Sequence, residues 1–486
     1  MSLILEAEPQ KHNSENSFPF AFHLRFRTMN KNNNLENSVP LCVDPDGTLV
    51  KTNILTEAFL ILLRRNILFV FIAPLWLLKG KSYFTQQITN RVDLDIHSLP
   101  YNRKFIGYLQ EQHEEGRCLI LITNLNDKYT RQIAEYIGFF DYVLTSNDHG
   151  KLKQLKDSFG IKGFDYAGNL RNDLEIWQHA RQVIPVNPKS SAKSTIRPPP
   201  EKTTSIIKQI FHRWYRDIKV YLHALRIHQW LKNLLVFVPL ITAHQLTNIP
   251  LFLQTTIGFF AFSLCASSVY LLNDLLDLSV DRKHPRKRYR PFAAGTIPIK
   301  HGMLLIPALL LASFGIALSL PGKFLAILGT YYVLTLAYSL WLKKKMLVDV
   351  LALTALYTLR ILAGSSTVFI VSSFWLLAFS LFIFLSLAMI KRYSELIGLR
   401  GPFEKFIKGR NYHISDLSTL KGLGISSGHM AVLVLALYIN SEDIRVMYTH
   451  PTMIWLLCPL VLYWISRIWL LAGRGKLHDD PIIMTL

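Results

Sequence analysis

Long apolar stretches dominate the second half of the sequence and limit its folds more than any other feature. Eight stretches are candidate membrane spans, at residues 231–247, 251–272, 302–320, 322–341, 346–363, 372–390, 418–439 and 452–472. A membrane-spanning helix needs about 20 mostly apolar residues. Because only helices and closed barrels satisfy their backbone hydrogen bonds inside a bilayer, stretches of this length predict an all-α, multi-span bundle.

The charges between these stretches predict how the protein lies in the membrane. Lys and Arg residues crowd the loops after the second, fourth and sixth stretches, with Lys343, Lys344 and Lys345 in the middle one. Short loops rich in Lys and Arg stay on the cytoplasmic side of a bilayer. Residues 1–17 lack the basic and apolar regions of a secretory signal. We therefore expect a multi-pass protein of the inner (cytoplasmic) cell membrane whose N-terminal domain is cytosolic.

The strongly basic composition bears on the choice of partners. A net charge of +21 is compatible with nucleic-acid binding, but the cations lie mostly between apolar stretches. This distribution favours membrane lipids and phosphorylated substrates as partners and argues against nucleic acid. Four cysteines, Cys42, Cys118, Cys265 and Cys458, have no metal-like spacing, so we interpret them as small core residues in a reducing compartment.

The first half of the chain is predicted to be α/β. Short apolar runs at Leu41–Val43, Cys118–Ile122 and Phe164–Ala167 each end in polar residues, with helical patterns between them. This alternation predicts a Rossmann-like parallel sheet with polar side chains at the carboxyl ends of its strands. The predicted organisation is a disordered tail at 1–37, the α/β domain at 38–183, a Pro/Ser/Lys-rich linker at 184–204 and the membrane domain at 205–486.

Two further apolar segments are predicted to touch the membrane. The segment Ile206–Leu222 has apolar residues at helical spacing among cations, as in a helix lying on a membrane surface, although a helix of a globular domain is the alternative. The run Ile67–Leu78 is too short to cross a bilayer. We interpret it as a cap element of the N-terminal domain that contacts the bilayer.

Three acidic residues at the end of the second apolar stretch favour a metal site. Asp274, Asp277 and Asp281 lie at i, i+3 and i+7, so a continuous helix would place them on one face. A charged residue in a membrane helix costs about 3 kcal/mol and therefore usually serves a function. Clustered carboxylates favour Mg²⁺, and the basic run that follows suits a lipid phosphate or diphosphate. The simpler alternative is that the acids cap a helix and the cations mark a cytosolic loop.

This region also matches the pattern of a known family. It resembles the first aspartate-rich motif of the UbiA superfamily of intramembrane prenyltransferases, through Asn273-Asp274-x-x-Asp277-x-x-x-Asp281 followed by Arg290-Pro291 and Ala294-Gly295. The resemblance implies a helical bundle with a central cavity. It also implies that the three aspartates hold Mg²⁺ against the phosphates of a polyprenyl substrate. Asn273, Lys287 and Arg290 are then expected to bind that substrate.

Other spans carry polar residues that are expected to bind substrate. Lys232 and Asn233 lie at the start of the first stretch, in a segment similar to the entry of the first helix of the superfamily, although cations there also serve as interfacial anchors. Tyr357 and Arg360 are one helical step apart within an apolar span, where a charged residue must face a partner or a cavity. Asp349, near the end of the same span, has Lys343–Lys345 as its expected partners.

The loop after the sixth stretch departs from the usual family pattern. Most prenyltransferases of the superfamily have a second Asp-x-x-x-Asp motif there, whereas this chain has Lys391, Arg392 and Glu395. We expect these residues to replace a second Mg²⁺ site with charge that binds phosphate directly. The segment resembles the branch that contains decaprenyl-phosphate phosphoribosyltransferase. Two reactions remain open: phosphoribosyl transfer from phosphoribosyl diphosphate to a polyprenyl phosphate, which is slightly favoured, and prenyl transfer from a polyprenyl diphosphate to an aromatic or other acceptor.

The N-terminal domain carries a second motif. Asp44-x-Asp46-Gly47-Thr48 resembles motif one of the haloacid-dehalogenase-like phosphatases. The resemblance implies that Asp44 is the nucleophile and a metal ligand, that Asp46 is the general acid/base, and that Thr123 and Lys153 stabilise the phosphoryl group. Asp173 is expected to be a second Mg²⁺ ligand, with Asn169 in place of another. Such a domain is expected to remove the 5-phosphate of the transfer product.

Two alternatives to a membrane transferase come from other functional classes. One is an ion-binding transporter, although its halves would often be repeated and the sequence shows no internal repeat. The other is a phosphatase that is merely anchored by its spans. In that case Asp277, Asp281 and Arg360 would have no function.

Overall fold

The computed structural model describes residues 39–123, 127–145, 150–168, 173–186, 218–398, 410–441 and 451–477. The chain divides into two compact units. The first unit comprises the described residues of Met1–Asp217 together with Asp274–Lys300, and the second comprises Ile218–Asn273 together with His301–Leu486. The aspartate-containing loop therefore groups with the N-terminal residues, which the predicted boundary at residue 205 did not anticipate. The predicted tail at 1–37 lies outside the described residues.

A five-stranded parallel sheet forms the centre of the first unit. The strands are β1 (Leu41–Val43), β2 (Leu119–Thr123), β3 (Tyr142–Thr145), β4 (Asp165–Gly168) and β5 (Val183–Pro185), in the order β3-β2-β1-β4-β5. The prediction of a parallel sheet is confirmed, and the three predicted strands are the three central ones. The linker predicted from residue 184 begins too early, because Ile184 pairs with Ala167 in the sheet.

Both faces of this sheet are buried, as is usual for parallel sheets. Leu41, Val43 and Leu121 belong to one hydrophobic cluster, whereas Cys42 and Ile120 belong to a second cluster. This alternation follows from the two-residue period of a strand. The helices of the unit are α1 (Ile54–Arg65), α2 (Phe69–Leu78), α3 (Lys81–Thr89), α4 (Arg103–Glu114), α5 (Asp127–Ile137), α6 (Gly150–Phe159) and α7 (Leu174–His179).

The second half of the chain is helical. It contains α8 (Val238–Thr242), α9 (Ile249–Leu276), α10 (Leu278–Lys283), α11 (Ile299–Ala317), α12 (Gly322–Leu340), α13 (Val348–Thr367), α14 (Phe374–Ile397), α15 (Leu417–Ile439), α16 (Pro451–Ile454) and α17 (Leu457–Gly473). Within the described residues, six helices are long and apolar enough to cross a membrane: α9, α11, α12, α13, α14 and the helix that ends at Ile439. The protein is a multi-pass membrane protein.

The first and last of the eight expected spans are shorter than predicted. Residues Ile227–Phe237 form a 3₁₀ helix that is followed by the five-residue α8, and the last span corresponds to the 17-residue α17. Gly364 of α13 makes room for the 3₁₀ segment, because a Cβ atom there would lie 1.9 Å from the carbonyl oxygen of Val236. The amphipathic helix predicted at Ile206–Leu222 falls largely outside the described residues.

Candidate functional sites

The helix that carries the aspartate motif is broken at its central residue. α9 ends at Leu276, and Asp277 has a non-helical backbone (φ −99°, ψ 12°) before α10 begins. The Nη1 atom of Arg290 lies 3.1 Å from Oδ1 of Asp274 and 2.6 Å from Oδ2 of Asp281. Asp277 instead lies 3.5 Å from Nη2 of Arg64.

The predicted three-carboxylate centre is therefore wrong for this structure. Among the residues that the structure describes, no group of three His, Cys, Asp or Glu side chains could hold a metal ion. The helix breaks at Asp277, whose carboxylate contacts Arg64, whereas the carboxylates of Asp274 and Asp281 contact Arg290. The carboxylates of Asp274 and Asp281 still converge on one cation, Arg290.

The remaining pair fits a Mg²⁺ ion by its chemistry. Asp274 and Asp281 have almost fully buried side chains and present hard oxygen donors to one positive charge. Burial raises the pKa of Asp281, and the neighbouring Arg290 opposes that shift. Mg²⁺ in proteins is commonly held by one or two carboxylates together with water and substrate phosphates. A bound cation would take over the charge that Arg290 supplies.

Some cations of the loop are engaged by the N-terminal residues of the first unit. Arg282 donates to both carboxylate oxygens of Glu57, each at 2.7 Å, and both side chains are buried. Nζ of Lys283 lies 2.6 Å from Oδ2 of Asp95. Lys287, one of the expected substrate ligands, is exposed to solvent in a short 3₁₀ helix. Sequence reasoning missed Glu57 and Arg64, since nothing local in the sequence connects α1 with a loop more than 200 residues later.

The second unit brings four of the predicted substrate-binding residues together. Arg360 is buried and donates from Nε to Oδ1 of Asn233 at 2.9 Å and from Nη2 to the hydroxyl of Tyr331 at 3.2 Å. Its guanidinium lies 5.3 Å from the ring centre of Tyr357, and Nζ of Lys232 lies 6.0 Å from the same ring. Asn273 is half-buried in the last turns of α9.

Arg392 does not have the surroundings expected of a phosphate-binding residue. It is fully buried, and Nε donates to Asp349, Nη1 to Glu395 at 2.8 Å and Nη2 to the hydroxyl of Tyr338 at 2.8 Å. All three guanidinium nitrogens of Arg392 are bonded within the protein, and its predicted contact with phosphate stays a prediction. Asp349 pairs with Arg392 and with the hydroxyl of Tyr412 rather than with Lys343–Lys345.

Glu395 and Lys391 complete this region of the second unit. The same oxygen of Glu395 that Arg392 binds also accepts a hydrogen bond from Arg410 at 3.0 Å. Glu395 is thus held between two arginines, and its predicted contact with substrate stays a prediction. Lys391 is half-buried, and its predicted contact with phosphate stays a prediction.

The carboxyl ends of the central strands carry a second polar cluster, in the first unit. Asp44 follows β1, Thr123 ends β2, and Asp173 caps α7 after β4. Nζ of Lys151 lies 2.9 Å from Oδ1 of Asp44. Burial alone would lower the pKa of Lys151, but the charges of Asp44 and Asp173 raise it overall. Two carboxylates therefore lie close to one ammonium group.

Asp46 occupies a distinct position in this cluster. Its Oδ1 accepts the backbone N–H of Ile54, the first residue of α1, and its Oδ2 accepts from Nδ2 of Asn53, both at 2.9 Å. Burial, and then the charge of Asp44, raise the pKa of Asp46 to about 7. A carboxyl group with that pKa holds and releases a proton near neutral pH, as a general acid/base must.

Lys153, the lysine expected to stabilise the phosphoryl group, lies two residues from the lysine that contacts Asp44. It is exposed, whereas Lys151 reaches Asp44. Two residues along an α-helix turn a side chain through about 200°, so only one of the two can face the strand ends. Lys151 lies in the first turn of α6, directly after Gly150. The start of a helix that follows a strand is a sequence signal that would have favoured Lys151.

Comparison with known proteins gives one family and several relatives. The profile of the UbiA prenyltransferase family matches residues 234–476, half of the chain. An uncharacterized protein of Sinorhizobium fredii is 34% identical over 460 residues, which cover 93% of this chain and 88% of that protein. Nodulation protein NoeC of Azorhizobium caulinodans is 36% identical over 268 residues, 54% of this chain and 85% of that protein.

A third relative shares only part of its length with this chain. A decaprenyl-phosphate phosphoribosyltransferase of Mycolicibacterium smegmatis is 36% identical over 143 residues, 29% of this chain and 45% of that protein. The match therefore covers less than half of the phosphoribosyltransferase. The S. fredii relative, by contrast, matches nearly the whole chain, so the combination of an N-terminal region and a membrane region is not peculiar to this protein.

Proposed function

Because this chain belongs to the UbiA prenyltransferase family, we propose that it transfers a phosphoribosyl group from phosphoribosyl diphosphate to a polyprenyl phosphate. The observation that carries the proposal is the convergence of Asp274 and Asp281 on one cation, beside a basic loop. The choice of substrates is supported by the likeness to decaprenyl-phosphate phosphoribosyltransferase over 143 residues. The segment around Arg392 gives further support. Most prenyltransferases of the superfamily have a second aspartate pair there, whereas this chain has Arg392 and Glu395, which bind each other.

The proposed reaction breaks the bond between C1 of the ribose and the diphosphate. Diphosphate leaves with the electron pair, and an oxygen of the lipid phosphate forms the new bond to C1. Asp274 and Asp281 are the residues that would hold Mg²⁺, which would stabilise the negative charge on the departing diphosphate. In the second unit, Lys232 supplies an ammonium group for a substrate phosphate. Arg360 and Tyr331 fix the position of Asn233 and the surrounding rings.

The test uses membranes that contain the full-length protein, with Mg²⁺, labelled phosphoribosyl diphosphate and polyprenyl phosphate. We expect label to enter the lipid fraction with the wild type but not with Asp281→Asn. Asp93→Asn is the matched control, since Asp93 is an exposed aspartate paired with Lys128. A parallel reaction offers labelled polyprenyl diphosphate and an aromatic acceptor. Label that enters lipid-soluble product only in the parallel reaction would replace phosphoribosyl transfer with prenyl transfer.

The same preparations separate the other functional classes. A transporter would show an ion flux across sealed vesicles that Asp281→Asn changes, without any labelled product. A membrane-anchored phosphatase would release phosphate equally well in the wild type and in Asp281→Asn, again without transfer. Either pattern would contradict the proposed transferase.

For the N-terminal cluster we propose a phosphatase that acts on a phosphomonoester. The support is the placement of Asp44, Asp46, Thr123, Lys151 and Asp173 at the carboxyl ends of parallel strands, where ligands bind in open α/β sheets. Gly168 allows this arrangement, because a Cβ atom there would lie 2.6 Å from Oδ2 of Asp173. The likeness to haloacid-dehalogenase-like phosphatases rests on motif one and on this constellation.

The proposed hydrolysis has two steps. A carboxylate oxygen of Asp44 attacks phosphorus, and the P–O ester bond breaks while protonated Asp46 gives its proton to the leaving oxygen. Water then attacks the aspartyl phosphate, Asp46 takes up a proton, and inorganic phosphate is released. Lys151 orients Asp44 and the phosphoryl oxygens; Asp44 and Asp173 would hold Mg²⁺, which would supply further positive charge. Loss of phosphate release in full-length Asp44→Asn, with transfer retained, is the expected result. Equal release by both proteins would contradict it.

A further inference from the structure

Helix α2 is apolar around its whole circumference and is largely uncovered. All ten residues of Phe69–Leu78 are apolar, and Ala73 is the one buried residue among them. Phe71 is 73% exposed, Leu75 59% and Leu78 84%, whereas Phe69 and Trp76 pack against the core of the first unit. Single exposed apolar residues are common on protein surfaces, but a contiguous patch of this kind marks an interaction surface.

The residues that flank α2 indicate which partner this surface meets. Arg64 and Arg65 end α1, and Lys79 directly follows α2. Nζ of Lys79 lies 5.3 Å from the ring centre of Tyr83, and the guanidinium of Arg91 lies 5.2 Å from the ring of Trp76. Cations and amphipathic aromatic rings are characteristic of the boundary between lipid and water. This combination fits a bilayer better than it fits an apolar groove on another protein.

The first unit also contains a link to a membrane-crossing helix. Arg64, at the end of α1, lies 3.5 Å from the carboxylate of Asp277 and donates to Oγ of Ser279 at 3.5 Å. Asp277 directly follows α9, which is one of the candidate spans. α2 begins a few residues after Arg64. The start of α2 is therefore held, within the first unit, near the residues that directly follow a candidate span.

We propose that α2 inserts into the surface layer of the bilayer and so presents the N-terminal cluster to a phosphate carried by a membrane lipid. At ten residues, α2 is about 15 Å long and cannot cross a hydrocarbon layer of about 30 Å, so it lies within one leaflet. Helix α1 connects the N-terminal cluster with α2. Asp46 of the cluster accepts a hydrogen bond from Ile54, the first residue of α1, and α2 comes after the end of α1 in the chain. With twelve residues, α1 is about 18 Å long, so the cluster lies close to the lipid headgroups.

The insertion is measured on the full-length protein in vesicles of phosphatidylcholine and phosphatidylglycerol. A nitroxide spin label is attached to a cysteine introduced at Phe71, Leu75 or Leu78, in a variant whose native cysteines are replaced by serine or alanine. Collisions with oxygen report on lipid, and collisions with a water-soluble nickel chelate report on solvent. Ile161→Cys and Leu174→Cys are matched controls, because these apolar residues of the same unit are 69% and 57% exposed.

We expect the labels on α2 to collide mainly with oxygen and the control labels to collide mainly with the nickel chelate. Nickel collisions on α2 at the control level would overturn the proposal, since the helix would then lie in water. Low collision rates with both reagents would also overturn it, because another protein surface, such as a second copy of the chain, would then cover the helix. This measurement needs no enzyme activity, so its outcome does not depend on the proposed function.

The choice of a lipid-borne substrate rests on the proposed phosphatase and has its own test. The double variant Phe71→Asp/Leu75→Asp is compared with Ile161→Asp/Leu174→Asp in the same vesicles. We expect the α2 variant to hydrolyse a polyprenyl-linked phosphoribose at least about 10-fold more slowly than the control does, and a soluble pentose phosphate at the same rate. Equal rates on the lipid would overturn the assignment. No hydrolysis by any protein, with inserted labels, would refute the phosphatase and leave the insertion intact.

Discussion

Two carboxylate–guanidinium clusters, one in each unit, contain similar groups but differ in the exposure of their arginine. We call the cluster around the partly exposed Arg290 the open cluster and the cluster around the buried Arg392 the closed cluster. In the first unit, Arg290 binds Asp274 and Asp281 through the single atom Nη1, and 27% of its side chain is exposed. In the second unit, Arg392 is fully buried and bonds through all three of its nitrogens. The first cluster can therefore exchange its arginine for a metal ion without stranding a buried charge, whereas the second cannot. We therefore expect similar residues to serve a site in one place and stability in the other.

The largest effect is expected when the closed cluster is broken. Arg392→Gln would leave Asp349 and Glu395 without their main counter-charge, and breaking a buried ion pair costs about 3–5 kcal/mol. We expect a large fall in the thermal unfolding midpoint of the protein in detergent. Arg290→Gln is the control and should remain folded. An Arg392→Gln protein as stable as the wild type would show that this network is not structural.

The ion pair between Glu57 and Arg282 tests whether burial alone makes an ion pair important for stability. Both side chains are at most 8% exposed, and the two residues join α1 to the aspartate loop. Glu57→Gln should destabilise the protein by about 3 kcal/mol, because Arg282 keeps its buried charge. In a double-mutant cycle with Arg282→Gln, the second substitution should cost less than it does alone. Additive effects would contradict a direct interaction between the two side chains.

The open cluster is expected to respond through activity rather than stability. Asp281→Asn should lower phosphoribosyl transfer about 100-fold, which corresponds to about 2.7 kcal/mol of lost transition-state stabilisation. Its unfolding midpoint should stay close to that of the wild type, since Arg290 remains beside Asp274. Label transfer and unfolding are measured on the same preparation. A lower unfolding midpoint without a loss of transfer would show that Asp281 stabilises the fold and does not serve the reaction.

The smallest effect distinguishes two neighbouring lysines of α6. Lys151→Met should lower phosphate release at least about 10-fold, because Asp44 loses the cation that orients it. Lys153→Met changes an exposed residue in the same helix and should alter the rate less than about twofold. The two rates are measured with a soluble pentose phosphate. The reverse order would restore Lys153 as the functional lysine.

The sequence is a good guide wherever structure follows from local patterns. The apolar strands around Cys42, Ile120 and Tyr166 and the six long helices follow from hydrophobic runs that can be seen within one segment. The expectation that Arg360 needs a partner within its apolar span is also met, because Asn233 and Tyr331 accept hydrogen bonds from it, while its contact with substrate stays a prediction.

The sequence fails as a guide where the outcome depends on which distant charge comes close. The i, i+3, i+7 spacing assumed an unbroken helix, but the backbone leaves the helix at Asp277, whose carboxylate pairs with Arg64. The ion pair between Arg392 and Asp349 was not expected from the sequence, because the two residues lie in different helices. Lys153 was the lysine expected from the sequence, whereas the lysine that contacts Asp44 is Lys151, in the first turn of α6. These outcomes depend on tertiary contacts and on the residues at which a helix breaks or begins.

Binding of Mn²⁺ tests the central claim that Asp274 and Asp281 hold a divalent cation. Paramagnetic resonance follows Mn²⁺ in the full-length protein with inorganic diphosphate present, in a background of Asp44→Asn and Asp173→Asn that removes the N-terminal ligands. We predict that Mg²⁺ displaces the bound Mn²⁺ and that Asp281→Asn weakens its binding at least about 10-fold. Equal Mn²⁺ affinity with and without Asp281→Asn would contradict the account.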